Sequence, residues 1–294
     1  MSALVPAPMA RRRSVPGSAV MAILAAVAAV LIALAPGSGA AQGINLATTN
    51  RDKPIEVFAD NGIEWQQDNE ALIARGNARA MRSGVEINAE VLRAFYKKKQ
   101  EGGTDLSRID AAGKVRITSP SETITGETAV YDLEKAILLV NGKKVVYRSG
   151  ADVITANRQM EYYEIQQKAV ARGNATAVHD GKTVRAETLE AFFRKNAKGK
   201  TEVHEIRAFK NVAILTDQDT VLANRGIYNV ISGIATLIGN VRITRGQTQL
   251  AGDRAEINVN TGISKLLTDP GTLSVPGGTG RKRRVRGLIL PQRP

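Results

Sequence analysis

Two histidines, His179 and His204, are the only imidazoles in this 294-residue chain, and no cysteine accompanies them. Thiolate nucleophiles, thiolate metal sites and disulfides are therefore excluded. Neither histidine has a partner at ligand spacing, and isolated histidines of this kind belong mostly to surfaces or turns, so no metal centre is expected. The chain contains neither a Gly-x-Ser-x-Gly elbow nor a Walker-type loop. Gly277-Gly278-Thr279-Gly280 has no strand-to-helix context and reads as linker, not as a phosphate cradle. Asp60, Glu64, Glu90 and Glu187 are carboxylates of the type that pair as acid and base. They alternate with apolar neighbours, however, as the wet face of a strand does. The expectation is a protein without catalytic residues, metal or cofactor.

Lysine and arginine number 41 against 28 acidic residues, a net charge of +13 with a pI near 10.1. Such an excess implies an anionic partner: nucleic acid, phospholipid or phosphorylated glycolipid. The N-terminus narrows the choice. Arg11, Arg12 and Arg13 precede the apolar run Ala19 to Ala35, and Gly39-Ala40-Ala41 follows. Residues 1–41 are expected to be a secretory signal cleaved after Ala41. The alternative is an uncleaved membrane anchor, because the run is near the lower limit for spanning. Export argues against nucleic acid as the partner.

The elements that carry these residues are strands. After a polar lead-in at 42–52, apolar and polar residues alternate from Lys53 to about Leu267, as in Ile55-Glu56-Val57, Val85-Glu86-Ile87 and Val115-Arg116-Ile117. Period-two alternation bounded by turn residues predicts half-buried strands. Ala89 to Lys98 would suit a short helix by propensity, but its repeat context favours a strand pair. Gly/Asn-type dipeptides at Gly76-Asn77, Gly113-Lys114 and Asn141-Gly142 return 97 residues later at Gly173-Asn174, Lys210-Asn211 and, allowing for the swapped order of the last, Gly239-Asn240. Ala89, Glu90, Leu92, Ala94 and Phe95 return likewise as Ala186, Glu187, Leu189, Ala191 and Phe192. The chain is thus expected to hold two repeat units, 53–149 and 150–267, with a partial third copy beginning near Gln249. Strands of about six residues would give roughly twenty in all, paired mainly as antiparallel hairpins in a jelly-roll-like stack. Residues 268–294 form a Pro/Gly linker and a basic tail, Arg281, Lys282, Arg283, Arg284 and Arg286. The tail is either a solvated arm or a final edge strand, since Val285 and Leu288 to Leu290 are apolar.

Such a stack presents one long apolar face, which either simply packs or accepts acyl chains. Lys53-Pro54-Ile55-Glu56-Val57-Phe58-Ala59-Asp60 resembles the opening strand of the LptA/OstA family, Pro-Ile-x-Ile/Val followed by Asp. Arg75-Gly76-Asn77-Ala78 with Ile87-Asn88-Ala89-Glu90, and Ile109-Asp110-Ala111-Ala112-Gly113-Lys114-Val115, are similar to that family's next motifs. The resemblance covers nearly all of 53–267. It implies an all-β, antiparallel, elongated jelly roll with open sheet edges, which carries lipopolysaccharide between the membranes and joins an inner-membrane LptC-like partner, an outer-membrane LptD-like partner and further copies of itself, head to tail. Carried over, Ile55, Val57 and Ala59 form the entrance strand, and Leu72, Ala74, Val85, Ile87, Val115 and Ile117 line the lipid groove; plain core packing is the alternative at each. The basic tail is the candidate contact for headgroups or a partner. Rival readings are an LptC-like anchored component of the same system, a secreted β-helical polysaccharide-degrading enzyme, and a structural surface repeat protein.

Overall fold

The computed structural model describes residues 53–98, 103–179, 181–197, 199, 201–258, 260–261, 263–268 and 285–288. The expected signal 1–41, the lead-in 42–52, the Pro270–Gly280 stretch and Arg281 to Arg284 lie outside these residues. In chain order the strands are β1 (Glu56–Phe58), β2 (Ile63–Gln66), β3 (Ala71–Arg82), β4 (Val85–Lys98), β5 (Thr104–Thr118), β6 (Glu122–Asp132), β7 (Ile137–Asn141), β8 (Val145–Ser149), β9 (Asp152–Ala156), β10 (Gln159–Tyr163), β11 (Lys168–His179), β12 (Lys182–Lys195), β13 (Thr201–Leu215), β14 (Asp219–Asn229), β15 (Ile234–Arg245), β16 (Thr248–Asn258), β17 (Ser264–Leu267) and β18 (Arg286–Leu288). No helix occurs among the described residues. Ala89 to Lys98 belong to the single long strand β4, not to a helix and not to a strand pair.

Consecutive strands pair antiparallel, from β3 through β6 and from β11 through β16. Between these runs, β7 and β8 act as two halves of one interrupted strand, both on β6. Their other edges pair with β10 and β9, which both continue onto β11. At one end β1 and β2 share β3, and at the other β17 and β18 share β16. One hydrogen-bonded sheet therefore passes through residue 150 without a break, since Ser149 pairs with Asp152.

Of the six Gly/Asn-type dipeptides only Asn141-Gly142 closes a strand, β7, as a turn residue would; the other five do not. They lie inside long ones, at register shifts between Arg75 and Ala78, Ala112 and Val115, Arg172 and Ala175, Phe209 and Val212, and Ile238 and Val241. Both residues of each pair have positive φ, for example 83° and 48° at Gly113 and Lys114. Two successive left-handed residues bend the strand sharply, and glycine adopts that conformation most readily. Space enforces the choice too: a Cβ on Gly113 would stand 2.8 Å from Glu90 Cβ. Gly76 packs in the same way on Asn61, in the break between β1 and β2, Gly173 on Arg158, in the break between β9 and β10, and Gly239 on Asn224, at the bend of β14. The bends thus line up across the ladder and fold the sheet along one line. The strands reach 15 residues, yet each half-strand beside a bend is close to the short length that alternation predicts.

Folding along that line brings two apolar faces together, and their residues form one core cluster. In one half-sheet Val57, Ala80, Ile87, Ile117, Ile124 and Tyr147 lie side by side across successive strands. That row continues through Ile154, Ala177, Val184, Ile214, Val221 and Ile243. In the other half-sheet Leu72, Ala94, Ile109, Tyr131, Leu138 and Tyr162 begin an equivalent row that runs on to Ile257. Ile117, Ile243 and Ile257 are wholly buried, each worth about 1.5–3 kcal/mol in apolar transfer. With no disulfide available, this burial and the ladder hold the all-β, antiparallel, elongated jelly roll together.

Candidate functional site

Between β6 and β13 the two half-sheets part around a cavity of about 200 Å³. Ile124, Tyr147, Ile154, Ala177 and Val184 wall it on one side; Leu138, Tyr162, Ala169, Ala191 and Ile206 wall it on the other. Stacked sheets stand about 10 Å apart, a distance alanine cannot fill. Ala169, Ala171, Ala177 and Ala191, all on β11 and β12, leave the space. An engineered apolar void of about 150 Å³ already takes benzene. The present cavity is larger and almost wholly apolar, so its chemistry suits a segment of hydrocarbon chain.

Few polar groups interrupt the walls. Glu122, at the start of β6, is only 4% exposed. Its Oε1 accepts a hydrogen bond from the Tyr147 hydroxyl at 2.9 Å, and its Oε2 has no hydrogen-bond partner. Burial pushes the Glu122 pKa up to about 7, against the downward pull of the Tyr147 and Ser119 hydroxyls. Burial, reinforced by the Glu122 charge, also raises the Tyr147 phenol. At the rim Asp152 lies 2.5 Å from His179 Nδ1. Glu161 accepts from Arg172 at 2.7 Å and from the Tyr163 hydroxyl at 2.6 Å. Burial works to raise Glu161, but those donors prevail and hold its carboxyl below the usual range. Among the described residues no three acidic or histidine side chains cluster as metal ligands. His204 instead stands edge-on to Phe192, 6.3 Å between ring centres.

Of the nine sequence-predicted groove positions, Ala74, Val85, Ile87, Val115 and Ile117 are buried in the core. Ile55, Val57 and Ala59 are half-buried against it, and Leu72 is half-buried on β3. Val57, Ile87 and Ile117 meet in one row, whereas Leu72 and Ala74 belong to the facing half-sheet. None of the nine lines the cavity. Their equivalents one repeat later do so at five places: Asp152, Ile154, Ala169, Ala171 and Val184. The 97-residue spacing was the signal that pointed there. Glu122 carried no such signal, because an alternating glutamate looks like any solvated strand residue. In the basic tail, Arg286 is exposed on β18, opposite Ala251 of β16, as an edge strand would place it.

Comparison with known proteins gives three findings. The family model described as LptA/(LptD N-terminal domain) LPS transport protein matches this chain twice, over residues 56–168 and 154–263. An uncharacterized protein of Rhizobium meliloti (strain 1021) is 30% identical over 135 residues, covering 44% of this chain and 70% of that protein. The crystal structure of LptH, the LptA homologous periplasmic component of the lipopolysaccharide transport device of Pseudomonas aeruginosa, aligns over 83% of this chain and 99% of that one. Identity in that alignment is 11% and the TM-score is 0.21.

Proposed function

The chain belongs to the LptA/LptD N-terminal-domain family of lipopolysaccharide transport proteins, and from that premise we propose that it is a periplasmic bridge that carries lipopolysaccharide tails between its half-sheets. The observation that carries this reading is the apolar cavity between β6 and β13. Removing apolar surface from water is worth about 25 cal/mol per Å², so a chain that fills the space gains several kcal/mol. Tyr147, Ile154 and Val184 stand in one cross-strand row with Val57, Ile87 and Ile117. In this proposal the cavity is a widened station on a lane that includes all nine groove positions, Ile55, Val57, Ala59, Leu72, Ala74, Val85, Ile87, Val115 and Ile117.

Export follows from the expected signal at 1–41, and the two repeat units 53–149 and 150–267 give covalently the length that shorter chains gain by assembly. The strand pairs at the two ends, β1 with β2 and β17 with β18, each have one neighbouring strand described. A free edge offers N–H and C=O groups to another sheet. Head-to-tail addition of an LptC-like protein, an LptD-like protein or a second copy would extend sheet and lane together. Arg281, Lys282, Arg283, Arg284 and Arg286 supply cations for phosphorylated headgroups or an acidic partner. The test is copurification: the mature protein isolated from cell envelopes in mild detergent should carry lipopolysaccharide in stoichiometric amount. Protein that comes away free of it, while still folded, would refute the proposal.

A further inference from the structure

We propose that Glu122 is a polar anchor inside the cavity, accepting a hydrogen bond from a hydroxyl group on an otherwise apolar chain, so that hydroxylated chains are held in preference to plain ones. The inference rests on the reading of the cavity as a site for hydrocarbon chains and specifies which chains it favours.

Glu122 lines the cavity, is 4% exposed, and keeps one carboxylate oxygen without a hydrogen bond. Buried acceptors are almost always satisfied, and an orphan calls for an explanation. Ser119 Oγ, in the same hairpin, is buried and close enough to draw the Glu122 pKa down, but completes no hydrogen bond in this rotamer. Glu122 thus brings one unbonded acceptor to the apolar wall of the cavity.

The second repeat shows what a closed version of this position looks like. Asp219 is the equivalent of Glu122, and Arg245 grips it with two hydrogen bonds of 2.7 and 2.6 Å. Asp219 pairs across the ladder with Arg245, but Glu122 pairs with Ser149. The cause is a one-residue slip: Thr125 faces Val146 in the first repeat, whereas its equivalent Leu222 faces Arg242. Arg148 thereby falls opposite Thr123 and stays exposed, leaving Glu122 with the Tyr147 hydroxyl and no cation.

The missing partner is a neutral donor. An ammonium would have to shed its water among apolar walls with a single free acceptor to receive it, and a carboxylate headgroup would be repelled. A hydroxyl fits, donating to Glu122 Oε2 and needing no counter-charge. The Glu122 pKa near 7 leaves the carboxylate ionised in mildly alkaline buffer, where a hydrogen bond to it is charge-assisted.

Octan-1-ol and its isomer heptyl methyl ether share size and one oxygen near the chain end, but only the alcohol has a donor. Their affinities for the full mature chain, measured by ligand-observed NMR at about pH 8, should differ by roughly 10-fold or more in favour of the alcohol. Glu122→Leu should abolish the preference while still binding the ether, which also reports that the cavity is folded. Glu122→Gln, which keeps an acceptor, should retain a reduced preference. Equal affinities in the wild type, the result if Ser119 rotates to satisfy Glu122 internally, would overturn the anchor and leave the chain-binding reading intact. A preference that survives in Glu122→Leu would overturn it too. Failure of both probes to bind would sink the chain-binding reading and the anchor with it.

Discussion

Replacing Glu122 with glutamine should stabilise the protein at about pH 8 and leave its stability unchanged near pH 4. Glu122 titrates near 7 in the folded chain against an ordinary value of 4.5. Because the folded value is raised, the folded state binds the proton more tightly than the unfolded state. Stability contributed by this group is therefore fully present below 4.5 and falls as pH rises towards 7. At about 1.4 kcal/mol per unit, the gap sets a ceiling of about 3 kcal/mol on the loss. Glutamine keeps the shape and the acceptor for Tyr147 without the charge. Urea unfolding at a series of pH values, wild type against Glu122→Gln, reads the difference directly. It should be near zero at the acid end, grow between 4.5 and 7, and level off above. A difference that is flat with pH, or one that favours the wild type at alkaline pH, would show that the carboxyl is not held in a desolvated site.

The other predictions concern pairing, bending and space. Arg245→Ala strands Asp219, whose side chain is wholly buried, and should cost about 3–5 kcal/mol by denaturant titration. At equivalent bends, Gly113→Ala forces a Cβ into Glu90 and should destabilise by about 2 kcal/mol. Lys210→Gly, which relieves a φ of 61°, should stabilise by up to about 1 kcal/mol, after the greater backbone entropy of glycine is deducted. Thermal melts of the pair should move in opposite directions. Ala177→Leu with Ala191→Leu fills the cavity from both walls; Tm should hold or rise while affinity for the C8 ether falls at least about 10-fold.

Much of this fold was legible because alternation and repetition are written residue by residue. Val85-Glu86-Ile87 and Val115-Arg116-Ile117 place their apolar members inward, and the 97-residue spacing relates Gly76 to Gly173 as it relates the two bends. The function of the glycines was less legible. Gly-Asn supplies left-handed backbone equally well to a hairpin turn and to a bend within a strand, and only cross-strand register separates Gly76-Asn77 from the true turn at Ser83-Gly84. The nine groove positions lie on the inner faces of the half-sheets or against the core, but before β6, where the cavity begins. Which repeat opens depends on substitutions such as Leu72 to Ala169, and those matter only once the facing wall is known. Glu122 was hidden for a similar reason: its lack of a cationic partner follows from a one-residue slip that sets Ser149 opposite it, where its equivalent Asp219 meets Arg245.

The central claim is that lipopolysaccharide tails lie between the half-sheets. A photo-crosslinking residue at Val184, in the cavity wall, compared in living cells with one at the exposed neighbour Arg185, tests this most directly. Lipopolysaccharide adducts should form from position 184 and not from 185. Adducts from neither position in a folded protein, or equal yields from both, would contradict it.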